Sequence, residues 1–279
     1  MKLIKPTVEI IRQEKYDLLH VFKFIELAGR TCYKSEDKIT KDSAKEFVNR
    51  MIKSGHGAML EHGTVYLTIP NKNISRSLLI YNYEINPYSK VVNTDDYIYI
   101  TTNYRVIIEN NWNEHLKYIT APSEFHIRRT TVKFICDRGV SHEFVRHRIF
   151  SFAQESTRYC NYTKDKFDSE LTFIIPCWIK DIKEDNYYSF IDYHSNNIDG
   201  SKEWYDSCLN AEKVYFALIE DNNWKPQEAR SVLPNSLKTE LVMTGFDSDW
   251  QNFFKLRCAP NAHPQAKELA DMLKYKFNK

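Results

Sequence analysis

Two hydrophobic periods are mixed irregularly along this chain, and that mixture limits the folds open to it. Arg129 to Cys136 reads Arg-Thr-Thr-Val-Lys-Phe-Ile-Cys, a strand by its alternation and β-branched content. Thr7–Ile11, Thr64–Pro70, Tyr97–Thr101, Leu171–Ile175 and Leu237–Met243 read the same way. Between them lie segments of helical spacing: Leu18 to Ala28 with Gly29 as the stop, Asp42 to Ile52, Val106 to Tyr118, and Val140 to Val145. Glu203 to Glu220, Pro226 to Arg230, a helix capped by Asp247 or Ser248, and Pro264 to Tyr275 follow. In the second helix Phe47, Val48, Met51 and Ile52 are expected to face inward. Residues 71–96 and 181–200 are polar and read as irregular. Strands and helices in no repeating order predict an α+β fold, with one domain over 1–279.

Charge is informative through its placement, since 279 residues carry a net charge of only +2. That balance excludes bulk electrostatic binding to nucleic acid or to a membrane surface. No apolar run reaches the length of a membrane span, and the start lacks a leader-like apolar core. The six cysteines (Cys32, Cys136, Cys160, Cys177, Cys208, Cys258) are scattered, which points to reduced thiols in a cytoplasm. Arginine is the scarcer cation, 13 against 26 lysines, yet Arg128, Arg129, Arg138, Arg146, Arg148 and Arg158 crowd into one window with a single lysine, Lys133. Lysine is the usual solubilising charge. The planar guanidinium grips phosphate and carboxylate. The window therefore predicts an anion site.

Within it, Arg146-His147-Arg148 and Ser156-Thr157-Arg158 stand out. If 154–158 is extended, Ser156 and Arg158 share a face and form a phosphate clamp. On a helix Arg146 and Arg148 lie about 200° apart, so they serve two ligands, or one ligand and the protein. A helix end lined with cations is the plainer reading. Gly55 to His62 holds His56, Glu61 and His62, but the six-residue histidine spacing fits zinc poorly, and no metal site is expected. Neither Cys160 nor Cys258 has a base beside it, which argues against a cysteine nucleophile. A metal-dependent hydrolase using His56, His62, His142 or His147, and a non-catalytic module stacking single-stranded nucleic acid on Tyr and Phe, are the competing classes.

Four elements in order resemble the flavin-dependent thymidylate synthases, the ThyX family. They are Gly55-His56 with Glu61-His62, then Arg146-His147-Arg148 with Ser156 seven residues on. Ala229-Arg230 with Leu233-Pro234, and Asn252 with Leu256-Arg257, complete the set. The resemblance spans about 40–275. It implies a ThyX-like fold, an antiparallel sheet packed with long helices, and the conversion of dUMP to dTMP. Methylene-tetrahydrofolate would give the carbon, and NADPH through FAD the reducing equivalents. It implies FAD contacts for His56, Ala58, Arg146, His147, Arg148, Gln154 and Asn252. It implies dUMP contacts for Glu143, Arg146, Gln154, Glu155, Ser156, Thr157, Arg158 and Arg230, with Ser156, Arg158 and Arg230 around the phosphate. Arg257 would face the uracil and favour its ionised form. A homotetramer with shared active sites is implied, without nucleic acid or membrane. Two departures accompany the match. Phe246-Asp247-Ser248 stands where compact members carry Asn-Ala-Arg in the flavin site, and 71–128 looks like an insertion between neighbouring strands.

Overall fold

The computed structural model describes residues 1–71, 76–164, 167–180 and 200–278. Strands β1 (Lys2–Ile4) and β2 (Thr7–Ile11) lead into helices α1 (Leu18–Tyr33), α2 (Ser43–Lys53) and the short α3 (Gly57–Leu60). Then come β3 (Thr64–Pro70), α4 (Arg76–Glu84), β4 (Lys90–Asn93), β5 (Tyr97–Asn103) and α5 (Tyr104–Glu109). The middle of the chain gives β6 (Arg129–Asp137), α6 (Arg138–Phe144), β7 (Ser151–Gln154) and β8 (Thr172–Ile174). The last part gives α7 (Ser201–Glu220), α8 (Pro226–Ala229), β9 (Lys238–Phe246), α9 (Asp247–Arg257) and α10 (Pro264–Phe277).

The fold is α+β, and its main sheet is antiparallel throughout, in the order β2-β6-β9-β7. β6 and β9 pair over their whole length, from Arg129 opposite Phe246 to Asp137 opposite Lys238. Alternation then sorts the side chains. One face carries Val132, Phe134 and Cys136 of β6 with Leu241 and Met243 of β9. These pack on Trp250, Phe253 and Phe254 of α9 and on Leu269 and Leu273 of α10. The rings meet edge-on or tilted, with Phe134 and Phe144 centroids 5.0 Å apart and Phe150 and Trp250 4.6 Å apart. Burying each such side chain stabilises the fold by roughly 1.5–3 kcal/mol. The indole N–H of Trp250 is satisfied by the Thr130 carbonyl at 3.1 Å. On the other face Val242 and Ala153 meet Ala28 of α1.

A three-stranded sheet, β3-β5-β4, packs with α1 and α2 in a second core around Ile25, Phe47, Val65, Leu67 and Ile100. A parallel pair, β1-β8, joins α7 in a third around Phe173, Cys208 and Tyr215.

The differences from the sequence reading have local causes. Gly29 does not stop α1, which runs on to Tyr33. A Cβ at Gly29 would lie 2.4 Å from Cζ of Phe47, so the glycine is where α2 presses on α1. Lys34 ends the helix in the left-handed region, at φ 47°. Gly55, at φ 70°, follows α2, whose Ile52 points to solvent rather than inward. Residues 71–96 contain α4 and β4 rather than irregular chain alone. The expected helix over 106–118 is broken by Asn111 at φ 58°, leaving α5 and a 3₁₀ turn, Asn113–Tyr118. Neither Asp247 nor Ser248 caps α9. Asp249 accepts the Phe246 N–H at 3.0 Å instead, while Asp247 accepts the Thr130 hydroxyl at 2.7 Å. β3 pairs with β5 and not with β6, so the strands flanking 71–128 sit in different sheets. The loop expected at 181–200 lies, apart from Gly200, outside the described residues.

Gly29→Val should lower unfolding free energy by about 2 kcal/mol, the usual cost of overpacking a filled core. Chemical denaturation measures it, and an unchanged midpoint would mean that the Phe47 ring moves aside freely.

Candidate functional site

α6 begins where the Asp137 carboxylate accepts the Val140 N–H at 2.7 Å, and it stops at Phe144. The chain then turns, with His147 N–H on the Phe144 carbonyl and Phe150 N–H on the His147 carbonyl, both at 3.0 Å. Arg146-His147-Arg148 is therefore a turn, and the helical separation of its two arginines does not apply. Its side chains run out, in, out: both arginines are exposed, and His147 is buried against Phe253, ring centroids 5.1 Å apart. Arg146 and Arg148 make no side-chain hydrogen bond or ion pair with the described residues.

Arg257, at the end of α9, closes over this turn. Its Nε donates to His147 Nε2 at 2.9 Å, one Nη to Glu143 Oε2 at 2.7 Å, and the other to the Glu143 carbonyl. A guanidinium can only donate, so His147 Nε2 must accept and the imidazole is neutral with its proton on Nδ1. Burial first, and the Arg257 charge second, push the His147 pKa down to about 4. The hydrogen bond from Arg257 holds the Glu143 carboxyl below its ordinary value. Three of the five guanidinium donors are used, which leaves two.

The second group gathers after β7. Extended chain ends at Gln154, and residues 157–159 form a turn in which Tyr159 and Cys160 N–H groups reach the Ser156 carbonyl. Ser156 and Arg158 thus do not alternate along a strand. Gln154 donates to Ser141 Oγ of α6 at 2.8 Å. Glu155 turns inward: Lys238 Nζ lies at 2.9 Å and the Tyr162 hydroxyl donates at 3.1 Å. The residue is buried beneath the turn and lines a smaller cavity with Lys34, Tyr162 and Lys238. Ser156 N–H donates to the Cys32 carbonyl at 3.0 Å, and Thr157 Oγ1 accepts from Arg230 at 3.2 Å. Arg158 lies over its neighbour Tyr159, 5.4 Å from the ring centroid. Tyr159 reaches Tyr33, whose hydroxyl is 2.9 Å from His56 Nδ1. A cavity of about 460 Å³ opens here, with Arg138, Thr157 and Arg230 in its wall. One turn thus brings together His56, Ser156, Thr157, Arg158 and Arg230. Ala58 on α3 and Asn252 on α9 are exposed and join neither group.

Beneath the turn lies a charged layer. Burial opposes the charge of Glu240, yet Lys238, Lys34 and Lys133 hold its carboxyl far below the usual range. Tyr33, Tyr159, Ser141 and Lys238 escaped the sequence reading. Tyr159 belongs to the turn itself, while the register of α1, α6 and β9 brings Tyr33, Ser141 and Lys238 here.

Other candidates resolve differently. His62 is fully buried on Thr244 Oγ1 at 2.9 Å, and burial, then Arg129, pushes its pKa down to about 3. Among the described residues, no group of three or more His, Cys, Asp or Glu could hold a metal ion. Burial raises the Cys258 thiol to about 11, so it is no ready nucleophile. Phe246 lies under Lys90 and Arg129, each 5.6 Å from its ring centroid. No described helix is long and apolar enough to cross a membrane.

The sheet and its helices define an α+β protein with guanidiniums exposed at one turn. The chain belongs to the thymidylate synthase complementing protein family, whose model matches residues 92–279. It is similar to the flavin-dependent thymidylate synthase of Pyrococcus horikoshii, 33% identical over 135 residues, and spans about half (48%) of that relative's length. The enzyme of the same name from Corynebacterium aurimucosum is 25% identical over 253 residues, covering 88% of this chain and 71% of the relative. Among solved structures, the UMP/dUMP methylase PolB from Streptomyces cacaoi, bound with 5-Br dUMP, superposes with a TM-score of 0.43. It is 19% identical, over 99% of this chain and 92% of that one.

Since the folded value of His147 lies below the ordinary 6.5, the unfolded chain takes up the proton first. Stability from neutral His147 is full above about 6.5 and is lost as pH falls toward 4. Arg257→Gln removes one of the two causes. In an NMR titration the His147 midpoint should rise yet stay below 6.5; a midpoint that does not move would mean burial acts alone.

Proposed function

We propose that this chain is a flavin-dependent thymidylate synthase. It would convert dUMP to dTMP, with methylene-tetrahydrofolate giving the carbon and NADPH the reducing equivalents. The observation that carries the reading is the Arg257 guanidinium. Neutral His147 and ionised Glu143 fix it on three sides, and two donors are left over. Such a cation, oriented before any ligand arrives, suits a uracil ring that gathers negative charge during reaction. A neutral histidine beside it adds no second positive charge.

The remaining roles follow the two groups. Ser156, Arg158 and Arg230 would bind the dUMP phosphate. Thr157 holds one Nη of Arg230 at 3.2 Å and so orients the fork toward the cavity. Gln154, anchored on Ser141, and Glu143 would border the nucleotide. Glu155 would act from below, by fixing the turn through Lys238 and Tyr162. The described residues fit FAD: Arg146 and Arg148 are exposed cations on one turn, as a pyrophosphate requires. Exposed His56 and half-buried Tyr33, their rings 24° from parallel, offer an aromatic surface. His147, Ala58 and Asn252 would complete that site. Bound FAD would supply the hydride, and the protein's residues orient, polarise and exclude water. Ala58 and Asn252 join neither group in one protomer, and Arg146 and Arg148 flank His147 with their side chains turned to solvent. This supports a homotetramer whose sites are completed by neighbouring copies. We take 1–279 as one cytoplasmic domain in which 71–128 is an insertion; it supplies β4 and β5 to the second sheet. A nucleic-acid-binding reading gains nothing from the net charge of only +2.

The deciding experiment is purification followed by an absorption spectrum and an assay for NADPH-dependent dTMP formation. A protein that cannot be loaded with flavin and makes no dTMP overturns the reading. Arg158→Ala should raise the dUMP KM about tenfold or more, as loss of a charge-assisted phosphate contact requires. Unchanged dUMP affinity would remove Arg158 from the phosphate. Arg257→Ala should retain flavin while kcat falls by about 10²–10³, the range for losing one preorganised donor. Lost flavin with restored turnover on reloading would instead assign Arg257 to the cofactor.

A further inference from the structure

A second cavity, of about 360 Å³, opens between β2, the start of β3 and the start of β6. Of the positions tied above to a flavin or nucleotide site it takes in only Asp247, at the stretch that departs from the flavin motif. Its wall includes Arg12, Gln13, Tyr16, Tyr66, Arg128 and Arg129. Arg129 is turned in from the first position of β6. One Nη donates to the Glu61 carbonyl and to Thr64 Oγ1, both at 3.2 Å, and the other to Ser151 Oγ at 3.4 Å. All three acceptors are neutral and the bonds are long. Among the described residues no carboxylate pairs with this guanidinium. Its Nε is buried and has no partner, and the buried Nε2 of Gln13 is in the same condition. Burial pushes the Arg129 pKa down to about 10.

Buried donors without acceptors destabilise a fold. The charges of Glu61 and Asp249 offset part of the burial cost of Arg129, but neither carboxylate takes a hydrogen bond from it, since Glu61 accepts from Arg105 and Asp249 from the Phe246 N–H. Everything left unsatisfied here is a donor, so the matching ligand is rich in acceptors and negative. Exposed Arg12 and Arg128 line the same cavity and add to that preference. Asp247, also in the wall, has a carboxylate oxygen engaged by Thr130. Tyr16 and Tyr66 meet edge to face, 5.8 Å between centroids, and give the cavity an aromatic side.

We propose that this cavity binds a phosphate monoester of a planar ring, with the phosphate oxygens on Arg129 and Gln13 and the ring against Tyr16 and Tyr66. A phosphate presents several acceptor oxygens at once, which a guanidinium fork and an amide can share. The cavity also has room for a ring beyond it.

The test uses the full chain, with phenyl phosphate titrated calorimetrically in the presence of excess dUMP, so that the Thr157–Arg230 cavity is not the site measured. Phenyl phosphate should bind at one per protomer, at least tenfold more tightly than inorganic phosphate. Gln13→Leu and Arg128→Ala should each weaken it at least fivefold, with unchanged circular dichroism. These two stand in for Arg129→Gln, whose core position puts folding at risk. A crystal soaked in 4-bromophenyl phosphate should show anomalous bromine signal beside Tyr16, whether or not the enzyme proves to be a thymidylate synthase. Binding no stronger than to chloride, binding indifferent to both variants, or bromine only beside Thr157 and Arg230 would each overturn the proposal.

Discussion

The pairing of β6 with β9 is the constraint on which the rest of the molecule depends. The strands are antiparallel and nine residues long, so each runs about 30 Å and their following helices leave from opposite ends. α6, about 10 Å long, returns from the Asp137 end, and α9, about 16 Å long, returns from the Phe246 end. Together they nearly span the strand pair, so their last turns meet. That meeting places Arg257 on Glu143 and His147. The guanidinium also sits where the carbonyls of α6 run out, which favours a cation there. Two arginine-bearing segments 110 residues apart are thus joined by strand length and helix length alone.

The ladder also separates two kinds of interior. Aromatic rings fill one side of β6 and β9, and nothing polar is needed there beyond the indole contact to Thr130. On the other side Glu240 is held by three lysines, and the Glu155 carboxylate shares Lys238 with it. A buried ion network adds little net stability against a well-packed apolar core, but it tolerates few alternative arrangements. Here it fixes the backbone just before Ser156, where the chain leaves the sheet and turns.

Much of this was legible in the residue pattern. The strand Arg129–Cys136, the long helix ending at Glu220 and the proline-led helices at Pro226 and Pro264 have strong local signals, and they form close to where those signals place them. The order of the motifs also disclosed the family. What the pattern could not give depended on contacts between distant segments. Gly29 looks like a helix stop until Phe47 arrives from α2 and requires a residue without Cβ. Glu155 looks like one more ligand in a polar run, until Lys238, 83 residues on, and Tyr162 draw it inward. Arg146-His147-Arg148 gave no sign that α6 stops two residues earlier, and the out-in-out arrangement follows from that stop.

The fate of the thiols has a practical side. Cys136 is buried and its thiol is driven well above the ordinary value by burial; Cys208 and Cys258 are raised to about 11, and Cys32 and Cys177 are raised for the same first cause. These sulfurs stay protonated near neutrality and make slow nucleophiles. Alkylation of these five thiols should therefore be slower than that of a free cysteine at the same pH.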